Sequence, residues 1–189
     1  MNITHEDKTF ENVTYVNRHV KNREFDNCTF NKCDFTNSDF SSTRFSDCLF
    51  TSCNLSMMKL NGASLKNADF KGCKMLGVDF SGCNDFLFSV RFEDSILDYA
   101  SFANKKMEKT IFSHTSMKEV DLTKAVINKS KFDNSDLSGT IFSETQLRGA
   151  DFLTAYNYSI DPELNRIERA KFSLTGCIGL LHKYNIIIE

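Results

Sequence analysis

Carboxylates and polar turn residues recur at fixed places along this chain, so acid–base chemistry is the first possibility to consider. Asp often stands directly before a large apolar residue, as at Asp34, Asp39, Asp69, Asp79, Asp121, Asp136 and Asp151. Paired carboxylates serve general acid–base catalysis. However, Asn fills the same place at Asn54, and a short polar side chain there can bond to nearby backbone. No nucleophile, base and orienting group converge, so we predict that the protein is not an enzyme.

Thiols are the second candidate for chemistry, because the chain has seven cysteines. There is no CxxC pair and the four histidines are scattered, which argues against a metal site or a cofactor. Most of the cysteines occupy one position of the repeat described below, where small side chains prevail. We interpret them as buried, reduced thiols that pack as small apolar groups. The alternative, a bridge between Cys28 and Cys48 or between Cys33 and Cys53, is open on distance but disfavoured in a reducing compartment.

The elements that carry these residues are set by a period of five. Large apolar residues recur every fifth position from Phe10 to Phe80, and again from Leu87 to Phe152. A helix would scatter such residues around its axis, and a strand would alternate them between its faces. Five is therefore the length of a repeating unit in a solenoid. The two frames differ by two residues, which predicts a two-residue insertion near residues 81–87.

Every fourth unit carries the same kind of large residue. One set consists only of phenylalanine, and we predict that it forms the structural core of one wall: Phe10, Phe30, Phe50, Phe70, Phe92, Phe112, Phe132 and Phe152. The next set, from Tyr15 to Leu137, contains a single Phe. This segregation is what a coil of four units, or about 20 residues, predicts, with like residues stacked along a wall. We number the walls from the phenylalanine wall in chain order.

The units "NADFKGCKMLGVDF" and "NSDLSGTIFSETQLRGADF" resemble those of the pentapeptide-repeat family, over about residues 8–156. The resemblance implies an all-β solenoid, namely a right-handed quadrilateral β-helix, here with about seven coils. We expect an N-terminal tail at residues 1–9, the β-helix at residues 10–156 and a C-terminal cap at residues 157–189. Arg18 and Arg23 hold inward positions of the first coil, so we expect that coil to be irregular.

The C-terminal segment departs from the repeat. Asp161, Pro162 and Glu163 form a helix start signal, and a second short helix is expected from about Ser173 to Lys183, followed by a terminal strand. Such a cap would cover the open end of the solenoid. The segment has more apolar residues than a cap alone requires. We therefore predict a homodimer interface at Leu174, Ile178, Leu181, Tyr184, Ile186, Ile187 and Ile188.

Charge and hydropathy restrict the class of protein. The net charge is −2, and neither a membrane-spanning run nor a signal peptide is present, so we expect a cytoplasmic protein. No wall is strongly acidic: the second has four acids and two cations, and the fourth has eight cations and five acids. The fourth-wall lysines, among them Lys105 and Lys106, are interpreted as a solvated face. Direct nucleic-acid binding is not expected.

The C-terminal segment "DPELNRIERAKFSLTGCIGLL" resembles the tail of the quinolone-resistance (Qnr-type) members of the family. That resemblance implies binding to DNA gyrase or topoisomerase IV by DNA mimicry, with reduced fluoroquinolone sensitivity. The chain lacks the two long projecting loops of those members, so we expect partial mimicry of shape. Candidate partner contacts are Asp85, Phe86, Asp98, Glu119 and Asp136. Two interpretations of the insertion remain open, an aromatic ring folded over a corner or an exposed contact. The alternative function is a general protein-interaction scaffold with an unrelated partner.

Overall fold

The computed structural model describes residues 3–187 and shows an all-β solenoid of about eight turns. Its strands are β1 (Ile3–Glu6), β2 (Thr9–Glu11), β3 (Arg23–Asp26), β4 (Thr29–Asn31), β5 (Arg44–Ser46), β6 (Leu49–Thr51), β7 (Ser64–Lys66), β8 (Ala68–Lys71), β9 (Val90–Glu93), β10 (Ile111–Ser113), β11 (Lys131–Asp133), β12 (Asp151–Phe152) and β13 (Lys171–Phe172). All strand pairs are parallel, because each coil lies beside the next in the same direction.

The strands form two sheets on two walls of the tube. A nine-stranded sheet runs from β2 to β13 along the first wall, and a four-stranded sheet of β1, β3, β5 and β7 lies on the fourth wall. The second and third walls are joined by single parallel bridges, such as Thr14 to Asp34 and His19 to Asp39. Partners such as Phe30 and Phe50 lie 20 residues apart, so the predicted four-unit coil is confirmed.

The insertion changes this register at one place only. Phe70 of β8 pairs with Phe92 of β9, a separation of 22 residues, and the 20-residue spacing resumes between β9 and β10. The prediction of two extra residues is therefore confirmed. The inward residue of this unit was predicted wrongly, however: Leu87 is exposed and has a φ of 58°, whereas Phe88 is buried. The extra residues are absorbed before Phe88, so the large inward place moves by one position.

The phenylalanine wall is a continuous column of stacked rings. Successive centroids from Phe10 to Phe172 are separated by 4.6 to 5.4 Å. The stacking matches the spacing of neighbouring strands, about 4.8 Å, because one ring is added per coil. Seven of the eight predicted core residues are fully buried and Phe10, at the open end, is half-buried. The predicted core wall is confirmed, and Phe172 extends it.

Most corners of the coil are made by a residue with left-handed backbone. These corner residues lie two positions after a large one, and many are Asn, as at Asn12, Asn37 and Asn67, with φ values of 53°, 54° and 50°. Asn adopts this region more readily than most residues because its side chain bonds locally. Corner side chains also pair between coils, since Asn67 Nδ2 donates to Asp47 Oδ1 at 2.8 Å. The turn chemistry of each unit thus also ties the coils together.

Both ends of the solenoid lie beyond the limits predicted from the sequence. Ile3–Glu6 forms β1 and pairs with β3, so the described part of residues 1–9 is a wall strand and not a tail. At the other end β13 pairs with β12 and Arg166 bridges Gln146, so the coil continues past residue 156. Irregular residues hid this last turn, because Asn157 takes a left-handed corner and Tyr158 fills the buried place.

The predicted α-helical cap was wrong. Within residues 3–187 the chain has no α-helix, and the segment after β13 forms two 3-10 helices at Gly176–Leu180 and His182–Tyr184. Asp161 is not a helix cap; its Oδ1 accepts a bond from Glu163 N at 2.9 Å in a turn of the last coil. Ile186 and Ile187 are not in a strand, and Ile188 lies outside the described residues. Strong contacts with the previous coil outweigh the weak intrinsic preference of so short a segment for helix.

Candidate functional site

The repeated aspartates have the structural role that their position in the repeat predicts, because their side chains bond to nearby turn residues. Asp34 Oδ1 accepts bonds from Thr36 N at 2.9 Å and Thr36 Oγ1 at 2.6 Å, and Asp121 Oδ1 accepts one from Thr123 N at 2.9 Å. Each carboxylate thus fixes its own corner two residues on. These side chains point outward on different coils and engage backbone, so they do not form an acid–base pair.

One of these aspartates, Asp39, is the centre of a small charged cluster on the third wall. Its Oδ2 lies 2.8 Å from Lys21 Nζ and 3.5 Å from His19 Nδ1. Burial opposes ionisation of Asp39, but bonds from Lys21 and Ser41 outweigh it and hold the pKa of this carboxyl well below its usual range. The cluster therefore stabilises the fold when Asp39 is ionised.

All seven cysteines are free thiols in the described structure, and six of them are buried. Cys48 Sγ donates to Phe25 O at 3.5 Å and Cys53 Sγ donates to Phe30 O at 3.4 Å, in each case across to the preceding coil. Burial raises the pKa of Cys48 and of Cys83 to about 12. Only the thiolate is a nucleophile or a metal ligand, and a raised pKa keeps these thiols protonated. The two side chains therefore serve to pack the core.

The insertion forms a projecting corner on the fourth wall, built from residues 85–88. Phe86 is 82% exposed and Leu87 is 55% exposed, whereas Phe88 packs inward. Lys105 of the next coil holds the corner from below: its Nζ lies 2.7 Å from Asp85 Oδ1, donates to Cys83 O and sits 5.4 Å from the Phe88 ring centroid. Phe88 therefore folds inward, whereas Phe86 projects and stays a candidate contact.

Lys105 does not lie on a solvated face, so the interpretation of it as part of a solvated basic face is wrong. Its side chain is only 3% exposed. It occupies the inward small position, where neighbouring coils carry Cys83 and Ala125. The two extra residues widen the corner above it, so the long side chain fits and its charge meets Asp85. The sequence feature that indicates this burial is a lysine at a position where neighbouring coils carry small residues, one coil after an insertion.

The candidate contact residues fall into two groups on opposite walls. Asp85 and Phe86 belong to the fourth wall, whereas Asp98, Glu119 and Asp136 belong to the second. Within the second group, Asp98 Oδ1 accepts bonds from Ser116 Oγ at 2.6 Å and Lys118 N at 3.0 Å, and Asp136 Oδ2 lies 3.6 Å from Lys118 Nζ. Lys118 therefore partly neutralises this acidic cluster.

A third surface lies at the C-terminal end. The predicted dimer residues that the structure describes are exposed to different degrees, from 36% for Leu181 to 92% for Leu174 and 88% for Ile187. Gly179 lies directly against Tyr158, and Ile160 N donates to Gly179 O at 2.9 Å, which fixes the segment to the last coil. Its outward side is an apolar surface of Leu174, Ile178, Tyr184, Ile186 and Ile187, which we call the tail surface.

Residues 3–187 contain no cluster of three or more His, Cys, Asp or Glu side chains arranged to hold a metal ion. In the same range, no helix has the length and apolar character needed to cross a membrane.

Comparison with known proteins identifies the repeat. A family model described as pentapeptide repeat region matches residues 23–102, and one described as pentapeptide repeats (8 copies) matches residues 115–152. No relative was found among curated proteins. Among solved structures, full-length QnrB1, a plasmid-mediated fluoroquinolone resistance protein, superposes with a TM-score of 0.64 at 18% identity, covering 97% of this chain and 100% of that one. A trypsin-treated QnrB1 variant gives a TM-score of 0.65 at 19% identity, with 98% and 100% covered.

Proposed function

Since this chain is a pentapeptide-repeat protein, we propose that it is a non-catalytic rod that binds a type II DNA topoisomerase, gyrase or topoisomerase IV, and lowers the fluoroquinolone sensitivity of that enzyme. The observation that carries the proposal is the end-to-end likeness to QnrB1, since almost the whole of each chain is covered. The interior is packed with side chains, so any partner must meet the outer surface.

The rod has the length needed to occupy part of a groove that holds duplex DNA. Eight steps of about 4.8 Å give about 38 Å, over which duplex DNA carries about 22 phosphate charges. The second wall offers far fewer acids, and Lys118 offsets part of their charge. We therefore attribute binding mainly to the shape of the tube, assisted by Asp98, Glu119 and Asp136.

The tail surface extends this proposal to a homodimer. Leu174, Ile187 and their apolar neighbours are exposed at one end of a rod, and a two-fold axis there would bury them and double the length of the rod. Deleting residues 174–189 should halve the molecular mass measured by light scattering. The matched control is Met57→Ala, which removes an exposed apolar side chain from a corner far from the tail. A full-length protein that is already monomeric would refute the dimer.

Supercoiling assays test the topoisomerase proposal. Purified protein is added to gyrase with and without ciprofloxacin, and the tail deletion is run in parallel. We expect altered supercoiling and a higher drug concentration for half-inhibition with the full-length protein, and a weaker effect with the deletion. Absence of any effect at a large molar excess over gyrase would refute the proposal.

A second candidate function, a scaffold for an unrelated partner, is favoured by the fourth wall. Phe86 projects there beside outward cations such as Lys106 and Lys109, a combination that does not mimic DNA. If this wall is the contact, Phe86→Ala should abolish partner binding and leave the gyrase assay unchanged. If the Phe86→Ala variant no longer alters gyrase activity, this corner instead belongs to the topoisomerase contact.

A further inference from the structure

The N-terminal end of the tube has an apolar mouth within the described residues. A cavity of about 50 Å³ lies between the first two coils, with His5, Phe10, Tyr15 and Val20 each on a different wall. The rings stack inward only: His5 on Phe25 at 4.9 Å, Phe10 on Phe30 at 5.0 Å and Tyr15 on Phe35 at 6.0 Å. Within residues 3–187, no other ring stacks on their outer faces.

Two arginines stand at the rim of this mouth. Arg18 and Arg23 hold inward positions that carry Ser38 and Thr43 one coil later. Both line a cleft of about 340 Å³ that shares Tyr15 and Val20 with the apolar cavity. The cleft therefore adjoins the cavity, so that an apolar pocket and a cationic edge lie side by side.

The carboxylates closest to this rim in sequence and register are already engaged. Asp39 pairs with Lys21 at 2.8 Å, and Glu24 pairs with Arg44 at 3.6 Å. Within residues 3–187, neither Arg18 nor Arg23 forms an ion pair with a carboxylate. Guanidinium groups that have no carboxylate partner and lie beside an apolar surface are suited to a planar anion, because they donate two parallel bonds to it.

The histidine in the mouth is consistent with this electrostatic setting. His5 Nδ1 is buried and has no hydrogen-bond partner, and Nε2 lies 3.5 Å from Arg23 Nη1. The pKa of His5 is lowered, first by burial and then by the positive charges of Lys8 and Arg23. The mouth thus has a positive potential and one free polar atom at its apolar wall.

We propose that this mouth binds a small carboxylate with an apolar body. The carboxylate lies between Arg18 and Arg23, and the apolar body rests on Phe10, Tyr15 and Val20. A free organic acid and the C-terminal residue of a polypeptide present the same chemistry, and both satisfy the site. The proposal is independent of topoisomerase binding, which concerns the outer walls and the tail surface.

Titration of the ¹⁵N-labelled full-length protein with phenylacetate tests the site. Amide shifts should be confined to the first two coils, with a dissociation constant of about 1 mM, the level that so small a ligand reaches. Phenylacetamide, which lacks the charge, should bind at least tenfold more weakly. Arg18→Gln and Arg23→Gln should each weaken phenylacetate binding about tenfold, as expected for loss of a charge-assisted bond. Arg91→Gln is the matched control, since Arg91 is an exposed arginine of β9, away from the first two coils, and this variant should bind normally.

The source of the carboxylate is distinguished with a short peptide ending in Phe. Tighter binding of the peptide with a free carboxylate than of phenylacetate indicates a polypeptide terminus, and the reverse indicates a free acid. In either case, the same peptide with a C-terminal amide should not bind. Absence of shifts at about 20 mM phenylacetate, or equal binding of phenylacetamide, would overturn the proposal. If Arg23→Gln disturbs the first coil, the comparison of acid and amide on the unmodified protein still decides the question.

Discussion

Truncation of one ring in the phenylalanine wall is the sharpest test of the interior. Phe70 is 1% exposed and stacks on Phe50 at 4.9 Å and on Phe92 at 5.3 Å. Phe70→Ala removes both stacking contacts and leaves a void, and the hydrogen-bonded coils on either side limit collapse. We expect a loss of about 4 kcal/mol in the free energy of unfolding, within the range for buried Phe-to-Ala changes.

Urea unfolding followed by circular dichroism measures this loss, with the slope checked because repeat proteins can unfold in parts. Lys74→Ala is the matched control, since Lys74 lies outward on the next wall and forms no ion pair within the described residues. It should change stability by less than about 0.5 kcal/mol. A loss below about 1 kcal/mol for Phe70→Ala, or equal losses for the two variants, would refute the assignment of inward positions.

Three further changes test other parts of the structure. Lys105→Met should cost about 1–3 kcal/mol, because Cys83 O loses its donor inside the corner, and amide exchange at residues 85–88 should accelerate while distant coils stay protected. Asp39→Asn should cost about 1–2 kcal/mol at pH 7 in thermal unfolding. Because the folded-state pKa of Asp39 is lowered, its contribution is lost as pH falls below about 4, so the two curves should converge in acid. Gly179→Ala should detach the tail segment and lower the dimer fraction in light scattering, since an added Cβ collides with Tyr158; an unchanged mass distribution would contradict that docking.

The body of the fold could be predicted from the sequence because the large and small apolar residues of each unit mark its inward positions. Phe30, Phe50 and Phe70 differ in sequence position by one coil, and burial of a large ring admits no other register. The first wall and the two-residue insertion follow from that spacing, and the spacing agrees with the four-unit coil that the family resemblance implies. The backbone geometry of the corners is harder to predict from the sequence. Asn67 and Leu87 both adopt left-handed backbone, although Asn favours that conformation and Leu does not.

The ends and the insertion could not be predicted for a physical reason. Tyr158 and Phe172 extend the solenoid by packing on the previous coil, a contact that no local preference encodes. Likewise, the choice of Phe88 over Leu87 as the inward residue depends on how Lys105 fills the widened corner. The candidate contacts could be proposed from charge and exposure, but their separation onto opposite walls depends on the fold.

Direct binding to gyrase tests the central claim, that the surface of this rod occupies a topoisomerase groove built for DNA. Immobilised full-length protein is exposed to purified gyrase in biolayer interferometry, with linear duplex DNA as competitor and the tail deletion as a second ligand. The account predicts saturable binding that duplex DNA displaces and that weakens when residues 174–189 are removed. Binding that DNA leaves unchanged, or no binding at all, would contradict it.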